Sequence, residues 1–100
     1  MTILPRFANQ DLLNDHFLDH GSDFGARSET DYEMQAGNFL TDRSNLDILE
    51  RSNYSGDLIR FNPRTNEFGI LSPSGQIRTC YILERANQKF PSNMDYFNDQ

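Results

Sequence analysis

Residues 58–83 decide the fold, and they read LIRFNPRTNEFGILSPSGQIRTCYIL. Along this stretch the apolar residues recur with the period of two that is typical of β-strands. Two segments with the composition of tight turns divide it, at Pro63–Asn66 and Ser72–Gly75. The predicted strands are 58–61, 67–71 and 76–83. Because short connections between consecutive strands imply antiparallel pairing, the stretch predicts a β-meander.

The last of these strands is the longest, and strict alternation divides it between two faces. One predicted face carries Ile77, Thr79, Tyr81 and Leu83, and the other carries Arg78, Cys80 and Ile82. Upstream of the meander, residues 42–56 are polar and mixed, which predicts a loop with one helical turn or a short strand. Downstream, residues 84–100 are polar with a few aromatic anchors, which predicts a short terminal helix or a docked tail.

Before the meander, the apolar residues recur at the spacing that is typical of α-helices. Leu12, Leu13 and Phe17 predict a helix from Asn9, its N-cap, to about His20. Gly21 follows the last turn, at the position where a glycine commonly ends a helix, and Gly25 marks the next turn. A second predicted helix begins at a Ser28 cap. Its apolar face is Tyr32, Ala36, Phe39 and Leu40.

Together these elements predict an α+β fold in which two N-terminal helices pack on an antiparallel β-meander. A chain of 100 residues fits one domain. We assign residues 1–8 to an irregular lead-in and 9–100 to that domain. The apolar stretches are too short to span a membrane, and no signal peptide is visible at the N-terminus. One cysteine, Cys80, and two histidines make neither a disulfide nor a convincing metal site.

The net charge of −6 is unevenly distributed. Residues 1–50 hold ten acids and three arginines, a balance of −7, whereas residues 51–100 hold five acids and six cations, a balance of +1. Eight of the nine cations are arginine, whose forked guanidinium suits phosphate contacts. Charge alone still favours a solvated acidic helical face beside a mixed sheet.

Several segments together resemble a known family. Residues 19–25 (DHGSDFG) before a tyrosine-containing helix are similar to the start of colicin D-like toxin domains. Residues 56–69 resemble the first hairpin of those domains, and residues 74–81 resemble the strand that follows. The end of the chain, residues 93–97, is similar to that of C-terminal toxin modules of contact-dependent inhibition proteins. These domains belong to the barnase, EndoU, colicin and RelE superfamily of ribonucleases.

This resemblance implies a metal-independent ribonuclease toxin that needs no cofactor and cuts RNA, often tRNA, to a 2′,3′-cyclic phosphate and a 5′-hydroxyl. It implies a cognate immunity protein as partner, with an activating host factor as a further candidate. It also implies release from a secreted or surface effector and action in the cytoplasm of a target cell.

The resemblance also implies roles for individual residues. His20 is the expected acid–base residue, since an imidazole titrates near neutrality. The expected phosphate-holding residues are Arg60, Thr65, Arg78 and Thr79. The expected substrate contacts are His16, Arg64 and Tyr81, of which Tyr81 is a candidate for stacking on a base. This hypothesis predicts that His20 and at least two arginines converge on one phosphate-sized space.

Each of these residues also has an ordinary structural alternative. His20 can cap the end of its helix, and His16 can be structural rather than a second acid–base residue. Arg60 and Arg78 can pair with Glu67 and Asp57. The net acidity and the lack of lysines near His20 favour a second hypothesis, a non-catalytic relative that acts as a protein-interaction module. A third, an acidic protein that mimics nucleic acid, ranks last.

Overall fold

The computed structural model describes residues 3–84 and 89–100. It contains three α-helices and a four-stranded sheet. The helices are α1 (Gln10–His20), α2 (Glu29–Thr41) and α3 (Asn93–Asp99). The strands are β1 (Leu49–Ser52), β2 (Leu58–Phe61), β3 (Glu67–Leu71) and β4 (Ile77–Ile82). The sheet is antiparallel throughout with the order β1-β2-β3-β4, which confirms the predicted α+β meander.

The two helical N-termini are capped as the sequence predicts. The Asn9 side chain accepts a hydrogen bond from the Leu12 amide at 2.9 Å, and Ser28 accepts one from the Asp31 amide at 3.1 Å. Each cap satisfies an amide that has no partner within its own helix. The predicted apolar face of α2 is buried at all four positions, with exposures from 0 to 6%.

Apolar side chains pack on both faces of the sheet. On one face, α1 and α2 cover a cluster that includes Leu13, Tyr32, Leu40 and Cys80. On the other face, Phe97 of α3 packs with Ile59, Phe61, Phe68 and Leu83. Phe7 belongs to the first cluster and forms a parallel bridge with Ile77, so the predicted lead-in contributes to the core.

The structure corrects the assignment of faces in β4. The register between β3 and β4 shifts at Ile70 and Leu71, so that Leu71 pairs with Ile77 and Ile70 with Thr79. This bulge moves Ile77 to the helix-covered side with Cys80, whereas Tyr81 packs on the α3 side. The predicted alternation of Ile77 with Tyr81 on one face was therefore wrong, because a bulge inserts one unpaired residue.

Part of the segment before the meander forms an additional strand. Of the alternatives for residues 42–56, the structure contains the short strand, β1, which pairs with β2 from Leu49↔Phe61 to Ser52↔Leu58. Of the alternatives for residues 84–100, it contains the terminal helix, α3, whose Phe97 is 4% exposed.

Candidate active site around His20

His20 is the last residue of α1, and the turn after it differs from the predicted glycine cap. Gly21 is in the right-handed helical region and starts a 3-10 turn, Gly21–Phe24, whereas Gly25 takes the left-handed conformation with φ of 63°. A Cβ on Gly21 would lie 2.5 Å from a ring carbon of Phe17. Glycine is therefore required at position 21 by close packing rather than by a positive φ.

A cavity of about 410 Å³ lies where the end of α1 meets β4 and α3. The half-buried His20 is on its wall. The described residues that line it are Asp19, His20, Asp23, Tyr81, Ile82, Leu83, Glu84 and Tyr96. The cavity has the size of a small-ligand site and combines apolar walls with a few polar groups. Three carboxylates line it, which makes its rim acidic.

Aromatic contacts fix the imidazole of His20 in this cavity. The ring of His20 stacks on Tyr81 with 5.2 Å between centroids and 30° between the ring planes. The Tyr81 hydroxyl lies 2.8 Å from the Tyr96 hydroxyl, and both rings pack on Phe68. Burial, together with the hydrogen bond to Tyr96, raises the pKa of Tyr81. The Tyr81 hydroxyl therefore keeps its proton at neutral pH, and one hydroxyl proton of the pair is free for a bond to a ligand.

His16 lies one turn before His20 and away from the cavity wall. Its ring stacks on Phe7 at 5.1 Å and approaches the His20 ring at 5.9 Å. Its Nδ1 atom is buried and has no hydrogen-bond partner among the described residues. Burial is the main cause of its lowered pKa, and the neighbouring His20 lowers it further. His16 thus packs between Phe7 and His20, and its lowered pKa favours the neutral imidazole.

Arg60, a predicted phosphate ligand, is buried at the end of α2. Its two terminal nitrogens donate to the carbonyls of Phe39 at 2.9 Å and Asp42 at 2.6 Å. Its Nε lies 3.2 Å from the Glu50 carboxylate, an ion pair whose geometry does not make a hydrogen bond. The guanidinium therefore satisfies carbonyls at the helix C-terminus, where a cation is favourable. The Arg60 side chain is 6% exposed, and Arg60 does not line the His20 cavity.

Two other predicted arginines form ion pairs at the surface. Arg78 Nε donates to Asp57 Oδ1 at 2.9 Å, as the structural alternative predicts for this residue. Arg64 Nε lies 3.3 Å from Asp47 Oδ2, and both side chains are exposed. Neither arginine lines the His20 cavity.

The two predicted threonines also lie outside that cavity. Thr65 is exposed in the turn between β2 and β3, and its hydroxyl donates to Glu67 at 2.9 Å. Thr79 is half-buried in β4 opposite Ile70. Among the predicted site residues, the structure brings together only His20 and Tyr81 on the walls of this cavity. Within the described ranges, no arginine lines it, so the predicted convergence of arginines on His20 is not seen there.

Sequence reasoning missed two polar lining residues outside the 19–25 segment. Tyr96 lies in the predicted terminal segment, where the sequence gives it no site role, and its hydroxyl contact with Tyr81 joins positions 15 residues apart. Glu84 follows directly after the predicted strand, and only the packing of β4 beside α1 places it at the cavity.

In the described part of the chain, no group of three or more histidine, cysteine, aspartate or glutamate side chains could hold a metal ion. Across the same residues, no helix combines the length and apolar character that a membrane span requires.

Comparison with known proteins identifies a structural neighbour. No family model matches the chain, and no curated protein matches it. Among solved structures, a ribonuclease from Escherichia coli, complexed with its inhibitor protein, matches with a TM-score of 0.56. The match is 21% identical in sequence and covers 86% of this chain and 95% of that chain. At this identity the match shows that the two chains share a fold.

Proposed function

We propose that this chain is a metal-independent endoribonuclease whose active site is the His20 cavity. The observation that carries the proposal is a half-buried imidazole in a small cavity, beside the paired hydroxyls of Tyr81 and Tyr96. The fold shared with a ribonuclease supports the same reaction class. The proposed products are a 2′,3′-cyclic phosphate and a 5′-hydroxyl.

The chemistry needs few groups, because RNA supplies its own nucleophile. The 2′-hydroxyl loses a proton and attacks the adjacent phosphorus, and the 5′-oxygen leaves with a proton. In the proposed mechanism His20 carries one of these proton transfers, and a lining carboxylate, Asp19, Asp23 or Glu84, carries the other. Of the paired hydroxyls of Tyr81 and Tyr96, one donates to the other, and the hydroxyl that accepts this bond donates its own proton to a phosphoryl oxygen, where charge develops.

The proposal extends to partners. The neighbouring ribonuclease is complexed with an inhibitor protein, which supports a cognate immunity protein for this chain. We propose tRNA as the substrate, release from a secreted or surface effector, and action in the cytoplasm of a target cell. An activating host factor remains a candidate partner. Arg60 is left out of the catalytic set, because its guanidinium is bound to backbone carbonyls.

The deciding experiment compares the chain with His20→Gln on total bacterial RNA in EDTA. We expect discrete cleavage by the wild type and a loss of two to four orders of magnitude in the variant, since general acid–base catalysis contributes about that much. Polynucleotide kinase should label the 5′ ends of the products without prior phosphatase treatment, because cyclisation leaves a 5′-hydroxyl.

Asp15→Asn is the matched control for this experiment. Asp15 is exposed on the same helix and does not line the cavity, so its substitution should leave cleavage unchanged. Cleavage that His20→Gln retains, or that EDTA abolishes, would contradict the proposed mechanism.

A specific observation favours the second candidate, a protein-interaction module without catalysis. Arg60, Arg64 and Arg78 each have an acidic partner within the chain, and the His20 cavity is rimmed by carboxylates. Under this reading RNA stays intact at high protein excess, also when bacterial extract supplies any activating partner.

A further inference from the structure

A second cavity, of about 460 Å³, lies between the first turn of α1 and the turn that joins β3 to β4. It shares no lining residue with the His20 cavity. Its volume falls in the range of small-ligand sites. The predicted function does not use it, and Arg78, a residue that the sequence assigned to phosphate binding, lies on its wall.

One side of this cavity is apolar. Leu12 from α1 is 41% exposed there, although it belongs to the apolar positions of its helix. Pro73 from the turn and Ile77 from β4 continue the same wall. An apolar wall left open to solvent is suited to the face of a nucleobase, because burying both surfaces together is favourable.

The other side is polar and cationic. The side chain of Arg78 is 54% exposed, and its Nε is held by Asp57, whose own side chain is 13% exposed. Ser72 and Ser74 lie beside it, with 2.9 Å between their hydroxyl oxygens. Of the described residues that line this cavity, Arg78 carries the only formal charge. This lining therefore lacks the carboxylates that meet at the His20 cavity, and its one cation is paired with Asp57.

From this combination we infer that the second cavity is a nucleotide subsite for single-stranded RNA, separate from the site of cleavage. A base packs on Leu12 and Pro73, and Arg78 and Ser74 bind a phosphate oxygen. An arginine already oriented by one hydrogen bond to a carboxylate has further N–H groups for phosphate. The inference rests on the proposed function, since it treats the bound nucleotide as part of the RNA that His20 cuts.

The spacing of the two cavities sets the length of RNA that can reach both. Each cavity is bordered by α1 and β4, with Arg78 at one and Ile82 at the other. Four strand steps of about 3.3 Å separate these residues, roughly 13 Å. At about 3.4 Å per stacked nucleotide, that span corresponds to roughly four nucleotides. A dinucleotide bound at His20 is too short to reach Arg78.

The experiment uses single-stranded oligonucleotides of about six nucleotides with 2′-deoxyribose, which the proposed reaction cannot cut. Fluorescence anisotropy gives their dissociation constants for the wild type, Arg78→Gln and Arg43→Gln. Loss of one charged phosphate contact should weaken binding by Arg78→Gln on the order of tenfold. Arg43→Gln removes the same charge from an exposed side chain that lines neither cavity, and should change binding by less than about twofold.

Ser74→Ala keeps the Arg78–Asp57 pair, and it is the second test variant for the case in which Arg78→Gln does not fold. It should weaken oligonucleotide binding by about two- to fivefold through loss of a hydroxyl hydrogen bond. Cleavage of a dinucleoside monophosphate should be unchanged in Arg78→Gln, because that substrate occupies the His20 cavity alone.

The outcomes separate this inference from the proposed function. Equal binding by wild type, Arg78→Gln and Ser74→Ala would overturn the subsite, as would equal losses in Arg78→Gln and Arg43→Gln. Loss of dinucleotide cleavage in a folded Arg78→Gln would also overturn it, by placing Arg78 at the cleavage site. If Arg78→Gln weakens binding while no form of the chain cuts RNA, the subsite stands and the proposed catalysis fails.

Discussion

The two histidines of α1 are one helical turn apart, yet their surroundings give them different chemistry. His20 lies on a cavity wall against Tyr81, and His16 is packed between Phe7 and His20 with a buried Nδ1. Spacing alone left both as candidates, because residues at i and i+4 share a helix face. The contact with Phe7, a residue outside both helices, distinguishes them.

His16 should make the fold sensitive to acid. Its folded pKa is lowered by burial and by His20, against the opposing carboxylates of Asp19 and Asp15. Below an unfolded pKa of about 6.5, the unfolded chain therefore binds more protons than the folded chain, so stability falls as pH falls. We expect urea denaturation to give a lower free energy of unfolding at about pH 5.5 than at about pH 7.5, and His16→Gln to reduce that difference.

The comparison for this prediction is Asp11→Asn, which changes an exposed charge in the first turn of the same helix. Asp11→Asn should keep the acid sensitivity of the wild type. An unchanged pH dependence in His16→Gln would show that His16 is protonated equally in the folded and unfolded chains, contrary to its buried position.

At the scale of elements, Arg60 joins the sheet to a helix end. It lies in β2 and donates to carbonyls of Phe39 and Asp42 at the C-terminus of α2. Glu50 of β1 supplies a carboxylate on its other side. One buried guanidinium thus connects three elements, which gives this core arginine a structural role.

Arg60→Gln should lower the free energy of unfolding by about 2–4 kcal/mol, because it removes a buried charged donor from two carbonyls and leaves Glu50 without its partner. Arg64→Gln, at an exposed pair, should cost less than about 1 kcal/mol. Urea unfolding at neutral pH measures both. A loss of unfolding free energy for Arg60→Gln as small as that for Arg64→Gln would contradict the structural role. RNA cleavage per folded molecule should be equal in the two variants.

The elements could be predicted from sequence to the extent that local signals specify them. Asn9 and Ser28 determine the helix starts, and the turns at 63–66 and 72–75 delimit β3. Strand β1 carries no such signal, since Leu49–Ser52 becomes a strand only by pairing with β2. The bulge beside Ile77 could not be predicted for the same reason, because a register shift depends on both strands. The Tyr81–Tyr96 contact could not be predicted either, because it forms only when α3 packs on the sheet.

For the whole molecule, the two cavities differ in the charged residues that line them. The His20 cavity is acidic, the second cavity contains Arg78, and the net charge is −6. A chain with this balance repels a polyanion at long range, and salt screens that repulsion. Under the proposed function, recognition of RNA therefore depends on few local contacts rather than on a broad basic surface.

This charge distribution predicts a weak dependence of RNA binding on salt. Each phosphate contact in a single strand contributes about −0.7 to the slope of log K against log salt concentration. With Arg78 as the one cation among the described residues lining the two cavities, we expect a slope no steeper than about −1. Arg78→Gln should bring this slope close to zero, because the one charged phosphate contact that releases a counterion is then lost. Anisotropy titrations of a 2′-deoxy oligonucleotide between about 20 and 200 mM salt measure the slope, with Arg43→Gln as control. A wild-type slope of about −3 or steeper would mean that several cations engage the RNA, and would contradict recognition by this single arginine.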